Sequence, residues 1–497
     1  MLECYYKYTN GGDTMRLLVS IFLIFASVFF AISFSITKIS VLLSTELDSS
    51  GATKGYIFNE LRIECVSDVF INNQQFEKDS KITIKPGTNG LIVNDSETDL
   101  MSIKIIGKIR ILSAKRSYGV PTYEDTILVK IVDKGIVAIN ELDIENYVKY
   151  VVPSEVPNWF EKEAVKAQAV IARSRAVADI LKGPNSAYYG ANCDDSTKSQ
   201  VFNNQVISEI IKNAVEETRG QIMVINNQPL EEIVYFSTSC GFTSNNEEVW
   251  SDQKGNFPGE AIPYLRAKQQ FVGCFAEKDK TEDFWNKFFK AFWGVEKELL
   301  DFFDRESPWF RWKVTITREE LEIIISKGLI AREKADRTLG IDAVRTLGGI
   351  PLDPDNSTFS IGELKNIEVV RRGEGGVIMT LRITAENGIY EVDKEYNIRF
   401  IIRPTKTLTA LNRDIIIERH DGSTYSNYSI LPSGYFTFDI ERENGKIKQI
   451  TFYGGGNGHG VGMSQYGANY LAKNGKSYLQ ILETFYEGKV EKIENIF

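Results

Sequence analysis

The stretch YVKYVVPSEVPNWFEKEAVKAQAVIARSRAVADIL, residues 147–181, carries a long helix signal next to a proline-flanked acid. Glu161–Leu181 is rich in alanine and is followed by the stop signal Gly183-Pro184, so we predict a helix there, with Asn158 as a candidate cap. The residues before Pro153 are apolar and largely β-branched, which predicts a strand-like segment. The acid therefore lies between a strand-like segment and a long helix.

The flanking sequence indicates the fold class. From Lys38 to about Ile139, β-branched runs alternate with Gly, Asn and Asp, and Asp133-Lys134-Gly135 predicts a hairpin turn between two of these runs. Further along the chain, Ser208–Thr218 and Ser477–Tyr486 have helical patterns, and Thr317–Glu320 is a capping box that opens another helix. Because strand and helix blocks are segregated rather than alternating, we predict the α+β class.

The same blocks predict five segments along the chain. They are an N-terminal extension with a signal segment (1–37), a β-rich domain (38–139), the first part of a mixed core containing the long helix (140–276), a large inserted α+β accessory region (277–448) and the C-terminal part of the core with a Gly-rich motif (449–497). The inserted region carries little chemical signal, and we interpret it as a partner-binding region or the wall of a cleft.

The N-terminal segment indicates export. Leu17–Ile36 is an uncharged apolar run long enough to span a bilayer, and Arg16 precedes it on the side expected to remain inside. Ala31-Ile32-Ser33 offers a cleavage site of small residues, so both a retained membrane anchor and a cleaved signal peptide remain open. In either case, we expect the chain from about Lys38 onward to face the cell wall or to be secreted or periplasmic.

Composition excludes several functional classes. The 58 Lys and Arg residues against 67 Asp and Glu give a net charge of −9, and the basic residues are scattered, so the basic patch of a nucleic-acid binder is missing. His420 and His459 are the two histidines of the chain, which argues against a catalytic zinc held by several His ligands.

The cysteines after the apolar run leave the redox state open. Cys65, Cys193, Cys240 and Cys274 allow three pairings. We favour Cys240–Cys274, which on the chain-entropy model would stabilise the fold by ~3 kcal/mol. The alternative is that all four are buried free thiols.

Glu155 is a candidate for acid–base chemistry. A carboxyl among apolar residues has its pKa raised by desolvation, which keeps a proton donor loaded near neutral pH. On the following helix, Lys166 and Arg173 are seven residues apart and share a face, with Gln168 displaced from it. These basic groups would orient the carboxyl or stabilise charge on a substrate. The alternative is a solvated helix face with a capping acid.

Two further segments combine glycine with polar side chains. The first, YFSTSCGFT (235–243), is followed by Glu247-Glu248, but no G-x-S-x-G elbow surrounds Ser237, which argues against a serine nucleophile. The second, GGGNGHGVGMSQYGA (454–468), has the glycines expected where the backbone needs positive φ or close approach. It does not fit a dinucleotide-binding loop, since no βαβ unit with its acid accompanies it. His459 is either an acid–base group, a substrate contact or a structural residue.

An aromatic stripe lies in the inserted region. Its members are spaced for one helical face and are Phe284, Trp285, Phe288, Phe289, Phe292 and Trp293. Such rings can stack on sugars, but we predict that they pack in the core.

Together, VVPSEVP…EAVKAQAVIARSRA, YFSTSCGFT…EEVW and GHGVGMSQYGA…YLQILETFYEG closely resemble the stage II sporulation protein D / amidase-enhancer family. KISVLLS resembles the opening strand of that family, and SPWFRWKVTITREEL and IGELKNIEVV resemble its middle portion, so the likeness extends from Lys38 to Phe497. The GHGVGMSQ-x-GA motif is highly specific, and the Pro-Ser-Glu motif with its K-A-Q-A helix is nearly as specific.

The resemblance implies an activity. Sporulation-type members are peptidoglycan lytic transglycosylases that prefer glycan strands stripped of stem peptides, and Glu155 matches their catalytic acid/base. The other matched positions are implied to bind substrate and are Lys166, Gln168, Arg173, Ser239, His459, Ser464 and Gln465. In some members a Cys/His cluster binds zinc, but here Lys198 and Ser199 stand where His and Cys would be, so we expect neither metal nor cofactor.

The implied reaction needs one carboxylate. Glu155 would protonate the β-1,4 glycosidic oxygen after N-acetylmuramic acid and then deprotonate the muramoyl C6 hydroxyl, closing a 1,6-anhydro ring, whereas hydrolysis needs two carboxylates. Peptidoglycan glycan strands are the expected partner, with a cell-wall amidase as a second candidate. Two alternatives remain: a non-catalytic amidase enhancer that binds the wall, and a glycan-binding module.

Overall fold

The computed structural model describes residues 37–48, 51–204, 207–273, 280–293, 301–409 and 411–496. The predicted signal segment Leu17–Ile36 lies outside these ranges. Within them, no helix is both long and apolar enough to cross a membrane. The architecture is α+β, as predicted, with helices packed beside several mainly antiparallel sheets. The division into five segments stays a prediction.

One compact unit comprises the described residues up to Ile233 and those from Lys489 onward. Its strands are β1 Lys38–Leu42, β2 Leu61–Cys65, β3 Val69–Ile71, β4 Gln74–Phe76, β5 Lys81–Pro86, β6 Leu91–Val93, β7 Ser96–Glu97, β8 Ser102–Ile106, β9 Ile109–Ile111, β10 Thr122–Tyr123, β11 Thr126–Val132, β12 Gly135–Asp143, β13 Cys193–Asp194, β14 Gln221–Ile225, β15 Gln228–Pro229 and a C-terminal strand Lys489–Lys492. Its helices are α1 Ile144–Glu155, α2 Lys162–Lys182 and α3 Glu209–Glu217.

Three sheets organise this unit. A seven-stranded sheet has the order β13-β1-β12-β11-β8-β3-β4, a six-stranded sheet has the order β10-β9-β2-β5-β6-β7, and β14 pairs with both β15 and the C-terminal strand. Val132 pairs with Gly135, so Asp133 and Lys134 form the turn between β11 and β12, which confirms the predicted hairpin.

Two predictions around α1 and α2 are corrected by the structure. The segment before Glu155 is helical rather than strand-like, because its buried residues Tyr147, Val148, Val151 and Val152 recur at helical spacing and Asp143 caps its first turn. Helix α2 occupies Lys162–Lys182, close to the predicted range, but its N-cap is Glu161 and not Asn158. The reason is local: the Phe160 N–H donates to the Pro157 carbonyl oxygen at 3.1 Å, so a turn precedes the helix.

The second compact unit comprises Val234–Gly488. Its strands are β16 Tyr235–Phe236, β17 Phe271–Val272, β18 Asp301–Phe302, β19 Trp312–Thr317, β20 Val344–Gly349, β21 Leu364–Arg372, β22 Ile378–Ala385, β23 Gly388–Asp393, β24 Ile416–Arg419, β25 Thr424–Ser426, β26 Phe436–Glu443, β27 Lys446–Gly454 and β28 Met463–Ser464. Its helices are α4 Glu282–Lys290, α5 Arg318–Leu339, α6 Glu395–Ile401, α7 Gln465–Lys473 and α8 Tyr478–Phe485.

The core of this unit lies between α5 and two antiparallel sheets. These sheets have the orders β25-β24-β19-β27-β26 and β20-β23-β22-β21, and side chains such as Ile316, Ile324 and Leu381 share one apolar cluster. The capping box predicted at Thr317–Glu320 is confirmed at the start of α5. In the aromatic stripe, the rings of α4 are buried as predicted for core packing, and they are Phe284, Trp285, Phe288 and Phe289.

The cysteine pairing favoured from the sequence is wrong. Cys65, Cys193 and Cys240 are buried free thiols, whereas Cys274 lies outside the described residues. Burial raises the pKa of the Cys240 thiol to about 11. Because the thiolate is the reactive form, we expect Cys240 to behave as a small apolar residue of the core.

Candidate functional site

Glu155 is the last residue of α1, and its carboxylate is held by a neighbouring segment. Glu155 Oε1 accepts a hydrogen bond from the Val201 backbone N–H at 2.7 Å. The preceding residue is held in the same way, because Ser154 Oγ accepts from the Asn203 backbone N–H at 3.1 Å. Two backbone amides of one segment therefore lie over the end of α1 and fix the position of the acid.

The segment that holds Glu155 is anchored by packing. The buried ring of Phe202 stacks on Tyr147 with 5.4 Å between ring centroids and contacts Tyr150 edge-on at 5.9 Å. Gln200 Nε2 donates to the Tyr147 hydroxyl at 3.3 Å and to the Ala172 carbonyl oxygen at 3.2 Å, linking the segment to α1 and α2. The segment that bonds to the Glu155 carboxylate is thus packed against both α1 and α2.

Two of the predicted contacts on α2 are charged side chains that bond within the protein. Lys166 Nζ lies 2.7 Å from Glu163 Oε1 and 2.8 Å from Glu217 Oε2. Burial alone would lower the pKa of Lys166, but the hydrogen bonds to these carboxylates raise it above the usual value. Arg173 is fully buried, and its Nε and Nη2 donate to the two carboxylate oxygens of Glu145, each at 2.8 Å. Both cations therefore join elements of this unit, and their contact with substrate stays a prediction.

Gln168 differs from both cations. It is fully buried on α2, and among the described residues its two amide atoms have no hydrogen-bond partner. Gln168 therefore lies in the interior of the unit, and its contact with substrate stays a prediction.

In the segment that the resemblance associates with zinc in some family members, the side chains form a hydrogen-bond network instead. Lys198 Nζ lies 3.4 Å from the Tyr56 hydroxyl, which donates to Asp194 Oδ2 at 2.6 Å. Over the described ranges, no group of three or more His, Cys, Asp or Glu side chains is arranged to hold a metal ion. The absence of a metal or cofactor stays a prediction.

In the second unit, a buried carboxylate brings two predicted residues together. Asp304 Oδ2 accepts from Ser239 Oγ at 2.7 Å and Oδ1 accepts from the Ser239 backbone N–H at 3.0 Å, while the Ser464 hydroxyl also donates to Oδ1. Burial raises the pKa of Asp304 to about 6, although the hydrogen bonds from Ser464 and Ser239 act in the opposite direction. Asp304 thereby connects the YFSTSCGFT and GHGVGMSQYGA motifs.

The same two motifs also form a short parallel sheet. Tyr235 pairs with Met463 and Phe236 with Ser464, which joins β16 to β28. Ser464 caps α7 by accepting from the Gly467 N–H, and Gln465, the first residue of that helix, is buried. Ser239 and Ser464 therefore belong to one cluster, and the buried Gln465 follows Ser464 along the chain.

His459 is held as a neutral ring in one tautomer. Its Nδ1 accepts from the Val461 backbone N–H at 3.1 Å, so Nε2 carries the proton and donates to the Tyr235 carbonyl oxygen at 3.0 Å. The ring also lies 4.9 Å from Trp250, measured between centroids. Both nitrogen atoms bond to backbone, which favours the structural interpretation of His459 over acid–base chemistry.

The glycines around His459 confirm the backbone geometry expected for this motif. Gly460 and Gly462 have φ values of +80° and +79°. A Cβ on Gly460 would lie 1.8 Å from the Tyr435 hydroxyl, and one on Gly462 would lie 2.0 Å from the Val234 carbonyl oxygen. Each position therefore requires glycine on both conformational and steric grounds.

The two acids after the YFSTSCGFT motif have different environments. Glu247 forms a two-bond ion pair with Arg266, with contacts of 3.0 and 2.5 Å. Glu248 accepts from Asn245 Nδ2 at 3.0 Å and from the Glu374 backbone N–H at 2.9 Å, and burial raises its pKa. Burial therefore disfavours the charged form of Glu248.

Sequence reasoning missed Asp304. It directly follows Phe302-Phe303, and a charged residue after two aromatic residues is the signal that was available. Its partners are 65 and 160 residues away along the chain, so no local pattern indicates the cluster. Among the predicted residues, Glu155, Lys166, Gln168 and Arg173 lie in the first unit, and Ser239, His459, Ser464 and Gln465 lie in the second.

Comparisons with known proteins agree with these motifs. Residues 132–225, which include α1 and α2, match a family model described as Stage II sporulation protein. The chain is 26% identical over 368 residues to Stage II sporulation protein D of Bacillus subtilis (strain 168), covering 71% of this chain and 75% of that protein. It is 25% identical over 348 residues to the amidase enhancer of the same organism, covering 68% of this chain and 39% of that protein. An uncharacterised protein of Brachyspira hyodysenteriae is 38% identical over 145 residues, covering 29% of this chain and 34% of that protein.

Proposed function

This chain belongs to the stage II sporulation protein D / amidase-enhancer family, and we propose that it acts on the bacterial cell wall as a peptidoglycan lytic transglycosylase. Its substrate would be glycan strands stripped of stem peptides, cleaved at the β-1,4 bond between N-acetylmuramic acid and N-acetylglucosamine. The protein would face the wall as an exported or membrane-anchored protein.

The observation that carries this proposal is the placement of Glu155. Its carboxylate ends a helix and is held at 2.7 Å by the Val201 backbone N–H, on a segment anchored by a buried aromatic ring. One oxygen is thereby fixed while the side chain remains partly exposed. A general acid needs this combination, because proton transfer depends on a defined distance to the reacting oxygen.

The reaction would use Glu155 twice. The protonated carboxyl donates to the glycosidic oxygen as positive charge develops at the muramoyl C1, and the leaving sugar departs with that proton. The carboxylate then removes the proton of the muramoyl C6 hydroxyl, whose oxygen bonds to C1 and closes the 1,6-anhydro ring. The group ends protonated and no water is consumed, so one carboxyl suffices where hydrolysis requires two.

The test is to replace Glu155 without changing its shape. Glu155→Gln in the full chain, purified in detergent, should lower the rate of release of sugars from denuded glycan by about 10²–10⁴-fold. Glu209→Gln is the matched control, because Glu209 lies on the surface of α3 with 77% of its side chain exposed. Thermal unfolding of both variants checks that the fold is kept.

The mass of the products decides the reaction type. Products lighter than hydrolysis products by one water indicate transglycosylation. Products that contain the water would favour hydrolysis, with Glu247 or Glu248 as the candidate second carboxylate. An undiminished rate in Glu155→Gln would contradict the proposal.

A second candidate function is that of a non-catalytic amidase enhancer. The similarity to the amidase enhancer over 68% of this chain favours it, as do the ion pairs that engage Lys166 and Arg173 within the protein. Incubating the full chain with peptidoglycan, with and without a cell-wall amidase, distinguishes the two functions. Sugar release without amidase supports the enzyme, whereas faster amide cleavage with no sugar release supports the enhancer.

A further inference from the structure

The geometry points to Tyr118 and Trp159 as sugar-stacking residues that bind pyranose rings next to Glu155. This inference rests on the proposed function, because it deepens the description of the same glycan site. It depends on three features of the first unit: the exposure of both rings, the rigidity of the segments that carry them, and the bonds that join those segments to the end of α1.

Both rings are unusually exposed. Tyr118 and Trp159 have 65% and 55% of their surface exposed, the two highest values for aromatic residues in the described part of the chain. Exposing a large ring forgoes the free energy of its burial, which the binding of a ligand would recover. Both rings stand in the unit that contains Glu155.

Trp159 follows the acid along the chain. It is four residues after Glu155, so their Cα atoms are at most ~14 Å apart. A turn between them is closed by the hydrogen bond from the Phe160 N–H to the Pro157 carbonyl oxygen. Phe160 itself is buried, with 2% of its surface exposed. The indole contacts this buried ring edge-on, with 4.8 Å between centroids. The exposed indole is therefore packed against a buried ring, four residues along the chain from the acid.

Tyr118 lies at the tip of a second fixed turn. The Gly119 N–H donates to the Arg116 carbonyl oxygen at 3.2 Å and closes this turn. The Arg116 guanidinium is buried, with its Nη2 at 2.6 Å from Asp195 Oδ2 and 3.1 Å from the Tyr123 hydroxyl. The exposed Tyr118 side chain thus lies on a turn that is held by the buried hydrogen bonds of Arg116.

Asn203 joins the Tyr118 turn to the end of α1. Its backbone N–H donates to Ser154 Oγ at 3.1 Å, and its Nδ2 donates to Ser117 Oγ at 3.3 Å. Asn203 therefore connects Ser154, which precedes Glu155, with Ser117, which precedes Tyr118. Asn203 is buried, so this link lies in the interior of the unit.

This arrangement suits a glycan strand. A pyranose ring presents a face of C–H groups and an edge of hydroxyl groups, so aromatic rings bind its face while polar atoms bind its edge. Tyr and Trp contribute large, rigid contact areas with little loss of conformational entropy. Two preorganised rings beside one carboxyl would hold the sugars on either side of the bond that Glu155 protonates.

The test measures binding separately from cleavage. Isothermal titration of the full chain in detergent with chitotetraose gives Kd for a β-1,4-linked probe. Tyr118→Ala and Trp159→Ala should each raise Kd about tenfold, equivalent to ~1.4 kcal/mol. Tyr118→Phe and Trp159→Phe keep a ring and should stay within about threefold of wild type. Tyr396→Ala, an exposed ring in the other unit, is the matched control and should leave Kd unchanged.

The outcomes separate this inference from the proposed function. If both alanine variants bind chitotetraose as tightly as wild type, or if wild type does not bind it, the stacking role is wrong even when glycan is cleaved. If the alanine variants lose affinity while wild type cleaves no glycan, the stacking role is supported and the proposed transglycosylase activity is wrong. Because both rings are more than half exposed, truncation removes little buried surface, and thermal unfolding should verify an intact fold.

Discussion

Replacing Arg173 by Met tests whether this cation supports the fold or binds substrate. Arg173 is fully buried, and it donates two 2.8 Å hydrogen bonds to Glu145 and one of 3.1 Å to the Gln221 carbonyl oxygen. Glu145 Oε1 also accepts the Gly220 backbone N–H at 3.0 Å. The pair therefore connects α1, α2 and β14 in the interior of the first unit.

The expected magnitude follows from the charge that is left behind. Arg173→Met removes the partner of a buried carboxylate, and breaking a buried pair from one side typically costs about 3–5 kcal/mol. Adding Glu145→Gln removes the uncompensated charge and keeps an acceptor for Gly220. The double variant should therefore be less destabilised than Arg173→Met alone, which is the signature of a coupled pair.

Urea unfolding followed by circular dichroism measures these free energies. Lys182→Met is the control on the same helix, because its pair with Glu232 is about half exposed and should contribute no more than about 1 kcal/mol. The structural interpretation of Arg173 would be refuted by an Arg173→Met variant that unfolds within about 0.5 kcal/mol of wild type yet has lost binding of glycan. It would be refuted equally by a double variant whose loss equals the sum of the single losses.

Two further predictions concern the second unit. Burial raises the pKa of Asp304 to about 6, above its unfolded value of about 4. The protonated carboxyl therefore contributes about 3 kcal/mol to the free energy of unfolding below about pH 4. This contribution is lost as the pH rises through 6. Asp304→Asn should therefore show a shallower fall in the free energy of unfolding between about pH 4 and pH 6; an unchanged slope would contradict the raised pKa. Gly462→Ala should lower the free energy of unfolding by more than about 3 kcal/mol, because its Cβ would lie 2.0 Å from the Val234 carbonyl oxygen. Gly475 has a φ of +77° and no atom within 4 Å of the Cβ position, so Gly475→Ala should lower it by about 1 kcal/mol in the same assay. Equal losses in the two glycine variants would contradict the close packing around Gly462.

Local signals account for the elements that sequence patterns predicted well. Helix α2, the β11–β12 hairpin and the capping box of α5 each depend on residues a few positions apart. The prediction failed at α1, where β-branched residues favour a strand but the burial of one face at helical spacing prevails. It failed again at the N-cap of α2, because a turn after Pro157 delays the start of the helix.

The motif residues themselves could be identified from the sequence, but their contacts could not. The pattern around His459 indicates glycines with positive φ, since that requirement is a property of each residue's own backbone. It does not indicate that both imidazole nitrogen atoms bond to backbone, because one of them bonds to Tyr235, 224 residues away. Similarly, the spacing of Lys166 and Arg173 implies a shared face, yet their carboxylate partners come from three different helices.

The sequence by itself determined the α+β class and the family motifs, because short-range periodicity and motif spacing are properties of the sequence alone. The acid–base role of Glu155 stays a prediction. Only the tertiary structure identified the hydrogen-bond partners of these side chains. Asp304 bonds to Ser239 and Ser464, Glu145 bonds to Arg173, and the Val201 amide bonds to Glu155. The physical reason is that burial and hydrogen bonding act between residues that are distant along the chain. Their partners are therefore determined by how the elements pack, which no local pattern encodes.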